Sequence, residues 1–208
     1  MMKKMIAASL LALVAAGVAA GASAADLVTN GGFEAGGAGW GTTDTVGFAP
    51  VSAYIACCGI DGSGYPAANG VAAAFFGWGN MPGGTMYQNL STEAGTTYTV
   101  KFAYGAISGT ALQTMTVAAL DGASVLGSQD VSAYGTYNQA ALVSPYSFTF
   151  VASSNSTQLL FRDTSVNTIN TDGMVDNVSV TAVPEPETGA MLLAGLGLMG
   201  WVARRRKI

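Results

Sequence analysis

No histidine occurs in the 208 residues, and this limits the chemistry open to the chain. It removes the commonest general base, every Ser-His-Asp arrangement and His-ligated zinc. The two cysteines are neighbours, Cys57 and Cys58, and such a pair without histidine does not make a zinc site. In an oxidising compartment they are expected to be oxidised, either as a strained vicinal disulfide that Gly59 would help to turn or as bridges to other chains. There is no Gly-Lys-Ser/Thr loop to cradle a phosphate. A glycosidase can work with two carboxylates, but nothing in the spacing of the acids marks a pair, so the sequence argues against an enzyme. Aromatic side chains are the remaining resource. Trp40, Tyr54, Tyr65, Trp78, Tyr134 and Tyr137 lie in or beside loop-like sequence. The two tryptophans fit core or strand-end positions. Tyr54, Tyr65, Tyr134 and Tyr137 are better placed as exposed platforms for stacking on a sugar ring.

The elements that must position these residues are short strands. Candidate strands cover residues 27–29, 71–76, 85–90, 97–104, 113–120, 147–151, 157–161 and 175–181. Several alternate cleanly: Tyr98, Val100, Phe102 and Tyr104 share one face, and Tyr146, Phe148 and Phe150 repeat the pattern. Such period-two spacing of aromatic and β-branched residues predicts half-buried antiparallel strands. Asp121-Gly122 reads as a hairpin turn joining residues 116–120 to 124–126. No helix of substance is predicted between the two ends of the chain. Eight short strands separated by turn signals predict an all-β, antiparallel β-sandwich of one domain, residues 26–182. Residues 36–70, rich in Gly, Pro and Ser, read as long loops at one rim.

Both ends read as processing segments. Lys3 and Lys4 precede an apolar run, residues 5–20, and then Ala22-Ser23-Ala24-Ala25. This is the layout of a signal peptide, residues 1–25, cut by signal peptidase after Ala24 or Ala25. Residues 26–182 hold ten acids and two bases, Lys101 and Arg162, a net charge of −8. A body this acidic offers no footprint for nucleic acid and repels anionic lipid. At the other end, Pro184-Glu185-Pro186 precedes an uncharged apolar stretch, residues 189–203, and then Arg204, Arg205, Arg206 and Lys207. The stretch is near the lower length limit for a membrane span, about 17 residues, if the arginines snorkel. The cations then place the C-terminus in the cytoplasm and the body outside. The prolines keep the junction extended and accessible to a protease.

That order of Pro-Glu-Pro, short apolar helix and Arg cluster, residues 183–208, resembles the PEP-CTERM sorting signal of Gram-negative bacteria. The resemblance implies cleavage near Pro184–Pro186 by an exosortase, with transient residence in the inner membrane and delivery to the cell surface or beyond. A second resemblance covers most of the body. Leu27-Val28-Thr29-Asn30-Gly31-Gly32-Phe33-Glu34 with Trp40, then Gln88-Asn89-Leu90 leading to Thr97-Tyr98-Thr99-Val100, then Phe148-Thr149-Phe150, and a closing Val175-Asp176-Asn177-Val178 follow the order of the galactose-binding-like jelly rolls. These include many carbohydrate-binding modules. In that family, acids near the two ends of the domain often hold a structural calcium. Here Asp176 shares its alternation parity with Val178 and Val180, so it is expected to face the core, where an ionised carboxylate needs a partner. Glu34 is the second candidate ligand, and hard oxygen donors suit Ca²⁺.

The sequence therefore predicts an exported, non-catalytic β-sandwich. Two functional classes compete: a polysaccharide-binding module, and a structural or adhesive matrix protein with no small ligand.

Overall fold

The computed structural model describes residues 24–43, 45–50, 70–135, 144–184, 195–200 and 204. The described residues of the body form ten strands: β1 Gly41–Thr42, β2 Val46–Pro50, β3 Ala72–Phe76, β4 Thr85–Ser91, β5 Thr97–Ser108, β6 Leu112–Asp121, β7 Ser124–Tyr134, β8 Ser144–Val151, β9 Ser156–Asp163 and β10 Thr171–Ala182. A short 3-10 helix, Trp78–Asn80, links β3 to β4. The strands pair antiparallel in two five-stranded sheets, ordered β1-β4-β9-β6-β7 and β2-β3-β10-β5-β8. The predicted sandwich is the observed one.

Alternation places the core. Tyr98, Val100, Phe102 and Tyr104 of β5 point inward with Val175, Val178 and Val180 of β10, and they meet Met115, Val117, Leu159 and Phe161 of the first sheet. Cross-strand aromatic pairs fix the β5–β8 register: Tyr98 stacks on Phe150 at 5.4 Å, and Phe102 on Tyr146 at 5.7 Å. Such pairs are worth about 0.5–1.5 kcal/mol beyond the area they bury. Phe102 also meets Phe161 edge-on at 5.6 Å, which joins the two sheets. Tyr104 sits in this core with no hydrogen-bond partner for its hydroxyl. Burial, with the charge of Asp163 and the neighbouring Tyr146, pushes its phenol pKa up, so it stays neutral.

The opening motif is architectural. Asn30 adopts a left-handed φ of 54°. Its amide Nδ2 donates to the Gly36 and Ala38 carbonyls, and its Oδ1 accepts from the Ala35 amide. This coil sets Phe33 against Trp40 and Phe48 in the core. A Cβ at Gly31 would run into the Val178 carbonyl, so only glycine lets the opening segment lie against β10. Residues 27–29 do not form a strand; the start of the domain is held by an Asp26–Thr181 bridge and by the Leu27 amide donating to Val180. The hairpin at Asp121-Gly122 is as predicted, with Gly122 at φ 57°. β7 then runs to Tyr134, far beyond residue 126.

One sequence expectation is corrected here. Asp176 does not face the core beside Val178: a bulge between Asp176 and Ser179, with Asn177 at φ 53°, shifts the alternation by one residue. The core positions of β10 are Val175, then Val178 and Val180, and Asp176 falls on the outer face with Met174, although it is fully buried there. At the C-terminus, residues 195–200 and Arg204 are helical, and among the described residues no helix is long and apolar enough to cross a membrane. The remainder of the expected span, like the expected signal peptide through residue 23, lies outside the described residues.

Candidate functional site

The outer face of the first sheet is open to solvent and organised in rows across its strands. The central row is Gly41, Tyr87, Leu160, Ala118 and Ser128, each paired in register with the next. The Tyr87 ring lies over Gly41, where any Cβ would collide with it, and the residue is 39 % exposed. A glycine in edge strand β1 therefore makes room for the distal end of a partly exposed aromatic ring on this face. The row on one side is Thr85, Arg162, Thr116 and Asp130. The row on the other side carries Asn89 and Gln158, whose amides bond to each other, Gln158 Nε2 to Asn89 Oδ1 at 3.2 Å.

Electrostatics on this face are balanced. The Thr116 hydroxyl donates to Asp130 Oδ1 at 2.6 Å. Two rows from Tyr87, the Thr164 hydroxyl donates to Thr114 Oγ1 at 2.9 Å. Thr114, Thr116, Asp130, Ser132 and Thr164 line a shallow groove of about 440 Å³. Arg162 is exposed in the middle of the sheet. A partly exposed aromatic ring flanked by hydroxyls, amides and one guanidinium suits a pyranose ring, which has an apolar C–H face and hydrogen-bonding edges. Asp130 is the carboxylate of these central rows, and the pair a glycosidase would need is not assembled among them.

The expected site residues fall elsewhere. Tyr134 is 71 % exposed at the end of β7, paired with Leu112. It stands three row spacings, roughly 20 Å, along the strands from the Tyr87 row. Tyr54, Tyr65, Tyr137, Cys57 and Cys58 lie outside the described residues, as do Glu185, Pro186, Arg205 and Arg206 of the tail; Pro184 and Arg204 are described. Trp40 is a core residue that donates its ring N–H to the Asn30 carbonyl. Trp78 is half-exposed and lies over Gly47. Glu34 is an exposed staple: its Oε1 accepts from the amides of Val71 and Ala72 at 2.8 and 3.0 Å. Asp176 Oδ1 accepts from the Asn177 amide at 2.6 Å. Among the described residues no three metal-binding side chains cluster. Tyr87 was missed in sequence because it sits mid-strand; the signal was its place on the polar face of an alternating Met86, Gln88, Leu90 pattern.

The two-sheet antiparallel sandwich is the jelly-roll type found among carbohydrate-binding modules. TmCBM61, solved in complex with β-1,4-galactotriose, matches with a TM-score of 0.52 and 12% identity, over 76% of this chain and 99% of its own. The arabinose-bound α-L-arabinofuranosidase MgGH51 matches with a TM-score of 0.52 and 13% identity, over 77% of this chain but 27% of its own, so this chain corresponds to about a quarter of that enzyme. At these identities the likeness is one of fold. Residues 182–207 match the PEP-CTERM protein-sorting motif. No curated protein matches the chain.

Proposed function

We propose that the protein is exported, is processed by an exosortase at its sorting tail, and binds a neutral polysaccharide through the outer face of its first sheet without cleaving it. The observation that carries the binding is Tyr87, partly exposed and reaching over Gly41 in an apolar row between two hydrogen-bonding rows. The sorting motif at residues 182–207 supports the export. Burying a sugar face on a tyrosine removes apolar surface from water at about 25 cal/mol per Å². Thr116, Asp130, Asn89, Gln158 and Arg162 supply donors and acceptors for the ring hydroxyls. The net charge of −8 between the two ends opposes polyanionic chains, which favours a neutral glycan. A chain running the length of the face would reach Tyr134 only with its distant units.

Signal peptidase, exosortase and, transiently, the inner membrane are the partners of this route. Affinity electrophoresis of the secreted protein through gels containing neutral polysaccharides tests the binding. Retardation by at least one of them is expected, and unretarded migration in all of them contradicts it.

A further inference from the structure

The outer face of the second sheet is divided. On one half, Phe75, Ile107, Met174 and Asp176 are fully buried. On the other half, β5, β8 and β10 turn polar side chains outward in two rows. One row is Thr149, Thr99 and Thr181, and the next is Ser147, Lys101 and Ser179, each residue paired in register with its neighbour. Where the halves meet, a shallow pocket of about 530 Å³ opens, and Lys101, Ala103, Pro145, Ser147 and Asn177 help to line it. The β10 bulge shapes its edge: Asn177 is left out of the pairing with β5 and stands exposed at φ 53°.

Lys101 is the sole lysine of residues 26–182, and the other base of that span, Arg162, belongs to the first sheet. Ten acids share the span with them, yet among the described residues none forms an ion pair with Lys101. Asp176 lies one row along on β10, but it is fully buried and its Oδ1 accepts from the Asn177 amide. The exposed ammonium is thus left to meet a charge from outside. Beside it, Ala103 and Pro145, paired across β5 and β8, form an apolar floor. Ser147 and Asn177 supply a hydroxyl and a primary amide at the edges.

We propose that this pocket binds a sugar unit carrying one negative group, a uronic acid or a sulfated hexose, within an extracellular polysaccharide. The floor takes the C–H face of the ring, Ser147 and Asn177 meet its hydroxyls, and the Lys101 ammonium meets the carboxylate or sulfate in a charge-assisted hydrogen bond. The acidic body opposes a densely charged polymer. The fitting chain therefore spaces its charges by neutral units, at more than the screening length of about 10 Å in 0.1 M salt. The threonine row beside Lys101 offers hydroxyls to those neutral neighbours. The two outer faces of a sandwich point away from each other, so a protein with a glycan on each would join two chains. The inference rests on the second sheet alone and stands whether or not the first sheet binds sugar.

NMR titration of the secreted protein, at constant ionic strength, tests it with sodium glucuronate, a glucose sulfate ester, glucose and inorganic sulfate. At least one of the two charged sugars should shift the amides of Lys101, Ser147 and Asn177 and saturate at millimolar concentration, and the arm that saturates identifies the negative group. Glucose and inorganic sulfate should bind there at least about tenfold more weakly, since each supplies only half of the recognised chemistry. K101Q should melt at the wild-type temperature, because the side chain is exposed, and should weaken the charged sugar at least about tenfold. No saturable shift with either charged sugar overturns the proposal. So does binding that survives K101Q, that glucose or inorganic sulfate matches, or that shifts only the Tyr87 row.

Discussion

Gln88 shows how one side chain can hold a domain's entrance closed. It points inward from β4, and its Oε1 accepts from the Thr29 amide at 2.8 Å while its Nε2 donates to the Thr29 and Gly39 carbonyls at 3.0 and 3.1 Å. All four of its polar valences but one are thus used on backbone that no strand ladder satisfies. Gln88→Ala leaves those groups unpaired in a buried setting, and unfolding in urea should show a loss of about 2–4 kcal/mol. At this scale the sequence was partly legible. Gln88 entered the reading as part of a family-like motif, but its clamp was invisible because its partners lie 49 and 59 residues away. Asp176 was legible as a buried carboxylate and misread in direction, since one left-handed Asn177 reverses the face.

At the scale of elements, the strands with strong aromatic alternation were predicted closely, and the quiet ones were not. β5 and β8 announce themselves through Tyr98, Phe102, Phe148 and Phe150. β2 does not, because Gly47 must stay small under the Trp78 ring, which leaves Val46 and Phe48 as its only large side chains. β7 is an edge strand with Ser128, Asp130 and Ser132 facing solvent, the composition by which exposed edges avoid pairing with other chains. The bulge in β10 is the element on which the calcium proposal rests. Gly31 O accepts from the Val178 amide, so the opening coil and the bulge beside the buried Asp176 are in contact. Glu34 has one oxygen committed to backbone amides, which leaves Oε2 as its contribution. If a calcium ion bridges these segments, chelation should lower the melting temperature of wild type and leave that of Asp176→Ala unchanged. Equal melting of the wild type in calcium and in chelator would rule out a stabilising ion.

At the scale of the whole molecule, the two ends and the body serve separate purposes. The last strand delivers the chain directly to Val183, whose amide donates to the Thr97 carbonyl at 2.8 Å. The sorting motif begins at residue 182, so the fold ends where the motif starts, and the proposed cleavage there leaves the sandwich whole. Intact mass of the secreted protein should therefore lack residues 189–208, and Pro184→Ala with Pro186→Ala should accumulate an uncut precursor; Ile208 on the secreted form would contradict this. The sorting tail was the most legible part of the sequence because it is linear and local. The proposed sugar-binding face was the least, because its rows assemble from five strands, most of them far apart in sequence.

The central claim is that Tyr87 anchors a glycan on the first sheet. Titration calorimetry of wild type and Tyr87→Ala with a polysaccharide that retards the protein tests it most directly. Tyr87 is partly exposed and lies over a glycine, so its removal should leave the melting temperature within a few degrees of wild type while weakening binding at least about tenfold, or about 1.4 kcal/mol. Undiminished affinity in the variant would place the sugar elsewhere and contradict the account.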